Sequence, residues 1–159
     1  MPPPLLIDPL TIDTTNPLRD IEDIRAHNRQ RDEMEMLSGI AVFDMEQQLI
    51  VGWKDLSEND FWVRGHIPGR PVFPGVLQIE AAAQLTSYYY MEGIGNPPDV
   101  FIGFMGVRDV KFRGFVEPTD TFIIAAKAKE IRPRMCTFGC QGFVKDKMVF
   151  EAVVRGAPM

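Results

Sequence analysis

One histidine and one glutamate in this chain occupy positions that suit acid–base chemistry. His66 lies in a loop, residues 65–75, that contains three prolines and three glycines and therefore has few conformations to lose. Glu80 is the sole charged side chain between residues 72 and 91, a stretch with helical composition. A neutral imidazole can remove a proton from carbon, and a carboxyl group can assist the departure of a hydroxyl. His66 and Glu80 are therefore the candidate catalytic residues.

The start of the predicted helix, which runs from Val76 to about Met91, is a candidate binding element. Pro74 and Gly75 precede it, so the first unpaired backbone N–H groups belong to Gly75 and Val76. Such groups, together with the partial positive charge of a helix N-terminus, suit a carbonyl oxygen that gains negative charge. A thioester carbonyl placed there would be polarised and its α-proton made more acidic. Gly75 and Val76 are the candidate substrate-binding residues.

Each of these features also has an ordinary structural interpretation. A lone loop histidine is commonly held by hydrogen bonds, and a loop rich in proline and glycine can serve as a turn alone. Glu80 could lie on a solvated stripe of the helix with Gln84 and Ser87, its helical neighbours. His27, the second histidine, is predicted to lie at the surface. The residue types alone leave these alternatives open.

Composition narrows the class of protein. The chain has 159 residues, of which 45% are hydrophobic and 25% charged, as expected for a domain with a real core. Its net charge of -5 argues against nonspecific binding to nucleic acid. No apolar run is long enough to span a membrane, and the first residues do not resemble a secretory signal. We therefore expect a cytoplasmic protein that binds neither nucleic acid nor membrane.

The two cysteines, Cys136 and Cys140, lie in a stretch that is predicted to be a strand. At about 3.3 Å per residue their sulfurs would be roughly 13 Å apart. That separation excludes a disulfide bond and a shared metal ion. We expect two unlinked structural cysteines, and no metal or cofactor.

The order of predicted elements indicates an α+β fold. Residues 1–18 contain five prolines and are predicted to be an extended arm, followed by a single domain over residues 19–159. A short helix is predicted within residues 20–30, and the charged stretch 29–36 is interpreted as a solvated face or loop. One hairpin precedes the long helix, and four strands follow it, over residues 100–113, 121–131, 135–145 and 148–155.

The loop and helix carry a specific motif. Residues 65–68 read Gly-His-Ile-Pro, residues 71–77 read Pro-Val-Phe-Pro-Gly-Val-Leu, and residues 80–84 read Glu-Ala-Ala-Ala-Gln. With this spacing the chain resembles the 3-hydroxyacyl-acyl-carrier-protein dehydratases of fatty-acid synthesis, a hot-dog-fold family. Residues 103–120 resemble the strand and turn that follow in that family, and the resemblance extends over residues 38–156.

The resemblance implies a long helix wrapped by an antiparallel sheet, and a dimer or higher homo-oligomer with shared active sites. It implies that His66 is the base, that Glu80 of the other subunit orients the hydroxyl or water, and that the Gly75 amide polarises the thioester. The implied partner is acyl carrier protein, an acidic protein that a basic rim would receive; the candidates are Arg64, Arg70, Lys111, Arg113, Arg132 and Arg134. Two alternatives stay open, namely a hot-dog thioesterase and a non-catalytic subunit that binds acyl carrier protein.

Overall fold

Six strands and two α-helices form the regular structure of residues 1–159, which this computed structural model describes in full. The helices are α1, Ile21–His27, and α2, Gly75–Gly93, and two 3-10 turns lie at Pro9–Thr11 and Asp32–Met34. The strands β1 to β6 span, in chain order, Gly39–Asp44, Leu49–Asp55, Ile102–Phe112, Thr121–Arg132, Met135–Val144 and Lys147–Pro158.

The strands form one antiparallel sheet in the order β1-β2-β4-β5-β6-β3. Strands β4, β5 and β6 form its centre, where Phe138 of β5 lies opposite Ala128 on one side and Val154 on the other. Helix α2 lies between β2 and β3 in the chain. Strand β3 pairs only with β6 and forms an edge of the sheet. The predicted α+β layout, with one long helix against an antiparallel sheet, is confirmed.

Helix α2 lies in the main core because its side chains are small or apolar on most of its circumference. Ala81, Ala82 and Leu85 are 0% exposed and belong to the same hydrophobic cluster as Phe122 and Phe138. A helix that is apolar nearly all round is expected to be buried, and this prediction is confirmed. No helix of the protein, α2 included, has the length and apolar character that crossing a membrane requires.

The short helix α1 starts where its sequence predicts. The Asp20 carboxylate accepts hydrogen bonds from the backbone N–H groups of Glu22 and Asp23, at 2.9 and 3.0 Å. The Asp23 side chain in turn accepts one from the Asp20 N–H, which completes a capping box. These reciprocal bonds start α1 directly after Arg19, which forms an isolated antiparallel β-bridge with Ile40 of strand β1.

The proline-rich arm lies on the face of the sheet that points away from α2. Leu6, Ile7 and Ile12 pack there against a second hydrophobic cluster that includes Trp53 and Phe143. The side chain of Gln141 on β5 fixes the arm by donating to the Pro4 carbonyl and accepting from the Leu6 N–H, at 2.9 and 2.8 Å. The arm therefore covers apolar surface of its own domain.

Cys136 and Cys140 are both buried on strand β5 and both carry free thiols. Burial raises the pKa of the Cys136 thiol to about 11 and that of Cys140 to about 12. Both thiols stay protonated at neutral pH, and a thiol in that state is neither a nucleophile nor a metal ligand. The expectation of two unlinked structural cysteines agrees with this arrangement.

Candidate functional site

The loop that carries His66 is anchored at both ends by buried aromatic rings. Trp62 and Phe73 are 5% and 1% exposed, and their ring centroids are 5.3 Å apart. The Phe73 N–H donates to the Val116 carbonyl at 2.7 Å, which ties the end of the loop to the turn before β4. Between these anchors the tip is exposed, and the peptide bond between His66 and Ile67 is cis. A mobile substrate can thus reach a side chain that is held in a fixed loop.

The hydrogen bonds of His66 determine its tautomer. Its Nδ1 lies 2.7 Å from the carbonyl oxygen of Val72, which can only accept, so Nδ1 carries the hydrogen. The Val72 N–H donates back to the His66 carbonyl at 2.8 Å and closes the loop. In the neutral ring Nε2 then has a lone pair and no partner in the chain. His66 is a loop histidine held by a hydrogen bond and also a base with a free nitrogen.

The N-terminus of α2 presents the unpaired amides that its sequence predicts. Pro74 precedes the helix without a side-chain cap, and its carbonyl accepts from the N–H groups of Leu77 and Gln78. The N–H groups of Gly75 and Val76 have no acceptor in the chain. They form a pair of free donors at the positive end of a helix.

Gly75 lies in close contact with the Phe112 ring, which its sequence context did not reveal. A Cβ built at this position would lie 2.6 Å from Cζ of Phe112 and 2.8 Å from a neighbouring ring carbon. The Phe112 ring of β3 therefore packs directly on the helix N-terminus, and any side chain larger than that of glycine at position 75 would have to displace the ring. This contact joins the end of the edge strand to the candidate binding residues.

Glu80 lies one turn and a half further along α2 and is half-buried. It lines a pocket between the helix and the adjoining ends of β3 and β6, together with Ala83, Ser87, Gly103 and Arg155 among others. Glu80 forms no ion pair, and its Oε1 accepts a hydrogen bond from Nε2 of Gln84 at 2.8 Å. Oε2 is left without a partner in the chain.

Gln84 is a functional candidate that the sequence interpretation missed. It is 2% exposed, so the alternative in which Glu80 shares a solvated stripe with Gln84 is wrong. Its Nε2 also donates to the Met34 carbonyl at 2.7 Å, and its Oε1 accepts from the Met36 N–H at 2.9 Å. A glutamine four residues after a carboxylate on a helix was the available signal, because side chains at that spacing are neighbours.

The two candidate catalytic side chains do not meet in the pocket beside Glu80. Within one chain, His66 is not among the residues that line that pocket. No group of three or more His, Cys, Asp and Glu side chains is placed to hold a metal ion. The chemistry that the arrangement offers is a free imidazole base, two free amides and a carboxyl oxygen.

One expectation about the segment before β1 is wrong, and another holds for most of its residues. His27 is not an exposed surface residue, because its side chain is only 13% exposed and its Nε2 lies 2.5 Å from Glu92. The charged stretch 29–36 is a largely exposed loop, as expected, but Met36 is 2% exposed and the Glu35 side chain is 15% exposed. The α2 residues that contact His27 and Met36 are distant in sequence, so the local composition gave no sign of them.

Comparison with known proteins identifies the family. A protein-family model described as the FabA-like domain matches residues 29–153, most of the chain. The chain belongs to the FabA-like family. Among curated proteins it is similar to the 3-hydroxyacyl-[acyl-carrier-protein] dehydratase FabZ of Novosphingobium aromaticivorans, at 32% identity over 83% of this chain and 84% of that protein. It is 38% identical to the protein of the same name from Lawsonia intracellularis, over 68% of this chain and 72% of that one.

The FabA-like chain also matches parts of longer proteins. It is 33% identical to the bifunctional enzyme LpxC/FabZ of Chlorobaculum tepidum over 78% of its own length, but it spans only 26% of that protein. Among solved structures it is similar to the dehydratase heterocomplex ApeI:P from Xenorhabdus doucetiae, with a TM-score of 0.69 at 12% identity, covering 84% of this chain and 89% of that one.

A mutant of the thioesterase PA1618 from Pseudomonas aeruginosa is another structural neighbour, with a TM-score of 0.64 at 13% identity over 89% of this chain and 95% of that one. At such low identity these likenesses show the fold alone. The predicted hot-dog fold is confirmed by them, and the family by the sequence matches.

Proposed function

We propose that this FabA-like chain is a 3-hydroxyacyl-acyl-carrier-protein dehydratase, which eliminates water from a (3R)-hydroxyacyl thioester to give the trans-2-enoyl product. The observation that carries the proposal is the set of free groups on one loop–helix unit. Nε2 of His66 is an unoccupied base, the amides of Gly75 and Val76 are unpaired donors, and Glu80 has a free carboxyl oxygen. The curated relatives named FabZ support the same assignment.

The proposed mechanism uses each group once. The thioester oxygen accepts hydrogen bonds from the Gly75 and Val76 amides, which stabilise the negative charge that develops on it. Nε2 of His66 removes the proton from the α-carbon, and the electron pair of the broken C–H bond forms the new double bond. The bond between the β-carbon and its hydroxyl breaks as Oε2 of Glu80, which enters the step protonated, delivers its proton to the leaving oxygen, which departs as water. The proton held by His66 then passes to Glu80, which restores both groups.

We propose that His66 and Glu80 meet across a dimer. The pocket beside Glu80 lacks His66 in its own chain, so a base from a second chain would complete it. Strand β3 is an unpaired edge that exposes Phe104, Met105 and Val107, and it borders that pocket. An exposed apolar edge strand is suited to pairing with another strand. The homodimer therefore has two sites, each built from both chains.

Acyl carrier protein is the proposed carrier of the substrate, in the cytoplasm. Arg64 and Arg70 flank His66 on the exposed loop, and neither forms an ion pair, although Arg70 lies over the Phe115 ring at 4.9 Å. Lys111 and Arg113 instead pair with Glu151, and Arg132 pairs with Glu130. Arg134 is also exposed and forms no ion pair, but it lies in the turn between β4 and β5. Arg64 and Arg70 are therefore the unpaired arginines of the His66 loop, and we propose them as the contacts for an acidic partner.

The test is hydration of a trans-2-enoyl-acyl carrier protein by the purified protein, with products resolved by mass. We expect the wild type to add water and both His66→Ala and Glu80→Gln to lose activity by about 10²–10⁴-fold, the range for a general acid or base. His27→Gln is the control and should keep turnover, because His27 pairs with Glu92 and does not line the pocket beside Glu80. Release of free acid and thiol would favour the thioesterase, and binding without turnover would favour a non-catalytic subunit.

A further inference from the structure

The Gln84 side chain links Glu80 to the backbone on either side of Glu35. Gln84 donates through Nε2 to the Met34 carbonyl and to Glu80 Oε1, and accepts through Oε1 from the Met36 N–H. The reverse orientation of the amide would place its oxygen against two acceptors, so these bonds define one orientation. The direction of the Glu80 carboxyl group therefore depends on where the backbone at Met34 and Met36 lies.

The orientation of Gln84 also gives the two carboxyl oxygens of Glu80 different roles, because Gln84 donates to Oε1 and leaves Oε2 free. An amide N–H can only donate, so Oε1 of Glu80 must accept and cannot carry a proton towards Gln84. Oε2 is the oxygen that remains for the substrate and for the transferred proton. Loss of the Gln84 bonds would let the carboxyl group rotate and would remove this distinction.

The backbone between Met34 and Met36 is itself fixed by the Glu35 side chain. Arg25 of α1 binds both carboxylate oxygens, with Nε 3.1 Å from Oε2 and a terminal nitrogen 3.0 Å from Oε1. Oε1 also accepts from the Asp32 N–H at 3.1 Å, and the Glu35 carbonyl accepts from Lys54 Nζ at 3.0 Å. With its side chain 15% exposed, Glu35 is far less solvated than Glu22, the other partner of Arg25, which is 73% exposed.

We propose that the Arg25–Glu35 ion pair is a positioning element for Glu80, acting through the 32–36 segment and Gln84. The ion pair fixes the backbone of the 32–36 segment, and that backbone orients the Gln84 amide through hydrogen bonds. The amide in turn donates to Oε1 of Glu80, which leaves Oε2 for the substrate. Neither Arg25 nor Glu35 lines the pocket beside Glu80. The inference rests on the proposed function, because it assigns the role of these residues in that reaction.

The test compares Glu35→Gln with Glu22→Gln, which removes the exposed partner of the same arginine and leaves Glu35 in place. We expect Glu35→Gln to lower kcat for enoyl hydration about tenfold with KM within about twofold, because small misplacements of a reacting group slow the chemical step. Glu22→Gln should match the wild type. Gln84→Met should lower kcat by more than Glu35→Gln does. Combining the two substitutions should lower kcat no further than Gln84→Met alone, since both act through the Gln84 amide.

A second readout separates positioning from plain destabilisation and does not need turnover. In an NMR pH titration, the carboxyl carbon resonance of Glu80 is assigned by its absence in Glu80→Gln. Its titration curve should differ from that of the wild type in Glu35→Gln and should match the wild type in Glu22→Gln. An inactive wild type overturns the proposed function, while this titration still tests the coupling. An active wild type in which Glu35→Gln keeps both kcat and the Glu80 titration overturns the positioning proposal alone, and so do additive losses in the double variant.

Discussion

Replacement of Gly75 by alanine should disturb the start of α2 through one neighbouring ring. The added Cβ would meet three carbons of the Phe112 ring at 2.6, 2.8 and 3.0 Å. Carbon atoms in contact prefer about 3.5–4.0 Å, so the ring must retreat by roughly 1 Å. Phe112 is 50% exposed and stacks on Phe150 at 5.8 Å, so it can move outward with partial loss of that contact. Its retreat lowers stability, but alanine in place of glycine at a helical backbone position restores about 0.4–1 kcal/mol, because it lowers the conformational entropy of the unfolded chain.

The assay for Gly75→Ala measures chemical denaturation and enoyl hydration on the same samples. We expect the free energy of unfolding to change by no more than about 1 kcal/mol, because the smaller entropy of the unfolded alanine variant offsets the low end of an overpacking cost. We expect kcat/KM to fall about 10²-fold, since misplacing a reacting group by about 1 Å has an effect of that size. Adding Phe112→Ala should restore part of the rate by removing the clash. Gly65→Ala, whose Cβ would meet nothing within 4 Å, is the control.

Two results would refute this reasoning about Gly75. Full activity in Gly75→Ala would mean that the helix N-terminus does not hold the thioester oxygen. An equal loss of activity in Gly65→Ala would mean that the loop tolerates no added side chain anywhere, and that the Phe112 contact has no special role.

Three further predictions concern stability. Leu85→Ala should lower the free energy of unfolding by about 2–5 kcal/mol, because Leu85 is 0% exposed in the main core, as chemical denaturation would measure. Burial raises the pKa of Glu151, but hydrogen bonds from Arg113 and Lys111 outweigh it and lower the pKa below its usual range. Glu151 therefore contributes stability that is fully present above its unfolded-state pKa of about 4.3 and is lost as pH falls through its lowered folded-state pKa. Glu151→Gln should be less stable than the wild type at pH about 7, and the difference should shrink in denaturation curves as the pH falls below about 4. Gln141→Leu should release the arm, and limited proteolysis should then cleave it faster than in the wild type.

The fold and the elements that carry the candidate residues were predictable because their signals are local. A stretch with Glu80 as its sole charge predicts a buried helix, and the stop at Gly93 and Gly95 follows from glycine, since Gly95 has a φ of 81°. The free amides at Gly75 follow from the proline that precedes it. The free nitrogen of His66 could not be predicted, because its tautomer depends on the Val72 carbonyl, which only the closed loop brings near.

The support around Glu80 was not predictable, because it joins residues that are far apart in sequence. Gln84 bonds to Met34 and Met36 across a separation of 50 and 48 residues. Glu35 is one acidic residue in a charged stretch, and nothing in its neighbours distinguishes it from a solvated side chain. Its burial follows from the packing of α1 and β2 around it, where Arg25 supplies the compensating charge and Lys54 donates to the Glu35 backbone carbonyl.

The central claim is that His66 of one chain and Glu80 of another dehydrate a 3-hydroxyacyl thioester together, and mixing two inactive variants tests it most directly. His66→Ala and Glu80→Gln are unfolded together, refolded as a mixture, and assayed for enoyl hydration. If the site is shared, random association places one intact site in each mixed dimer, and activity should return to about a quarter of the wild-type value. A mixture as inactive as either variant alone, from a wild type that is active, would contradict the shared site.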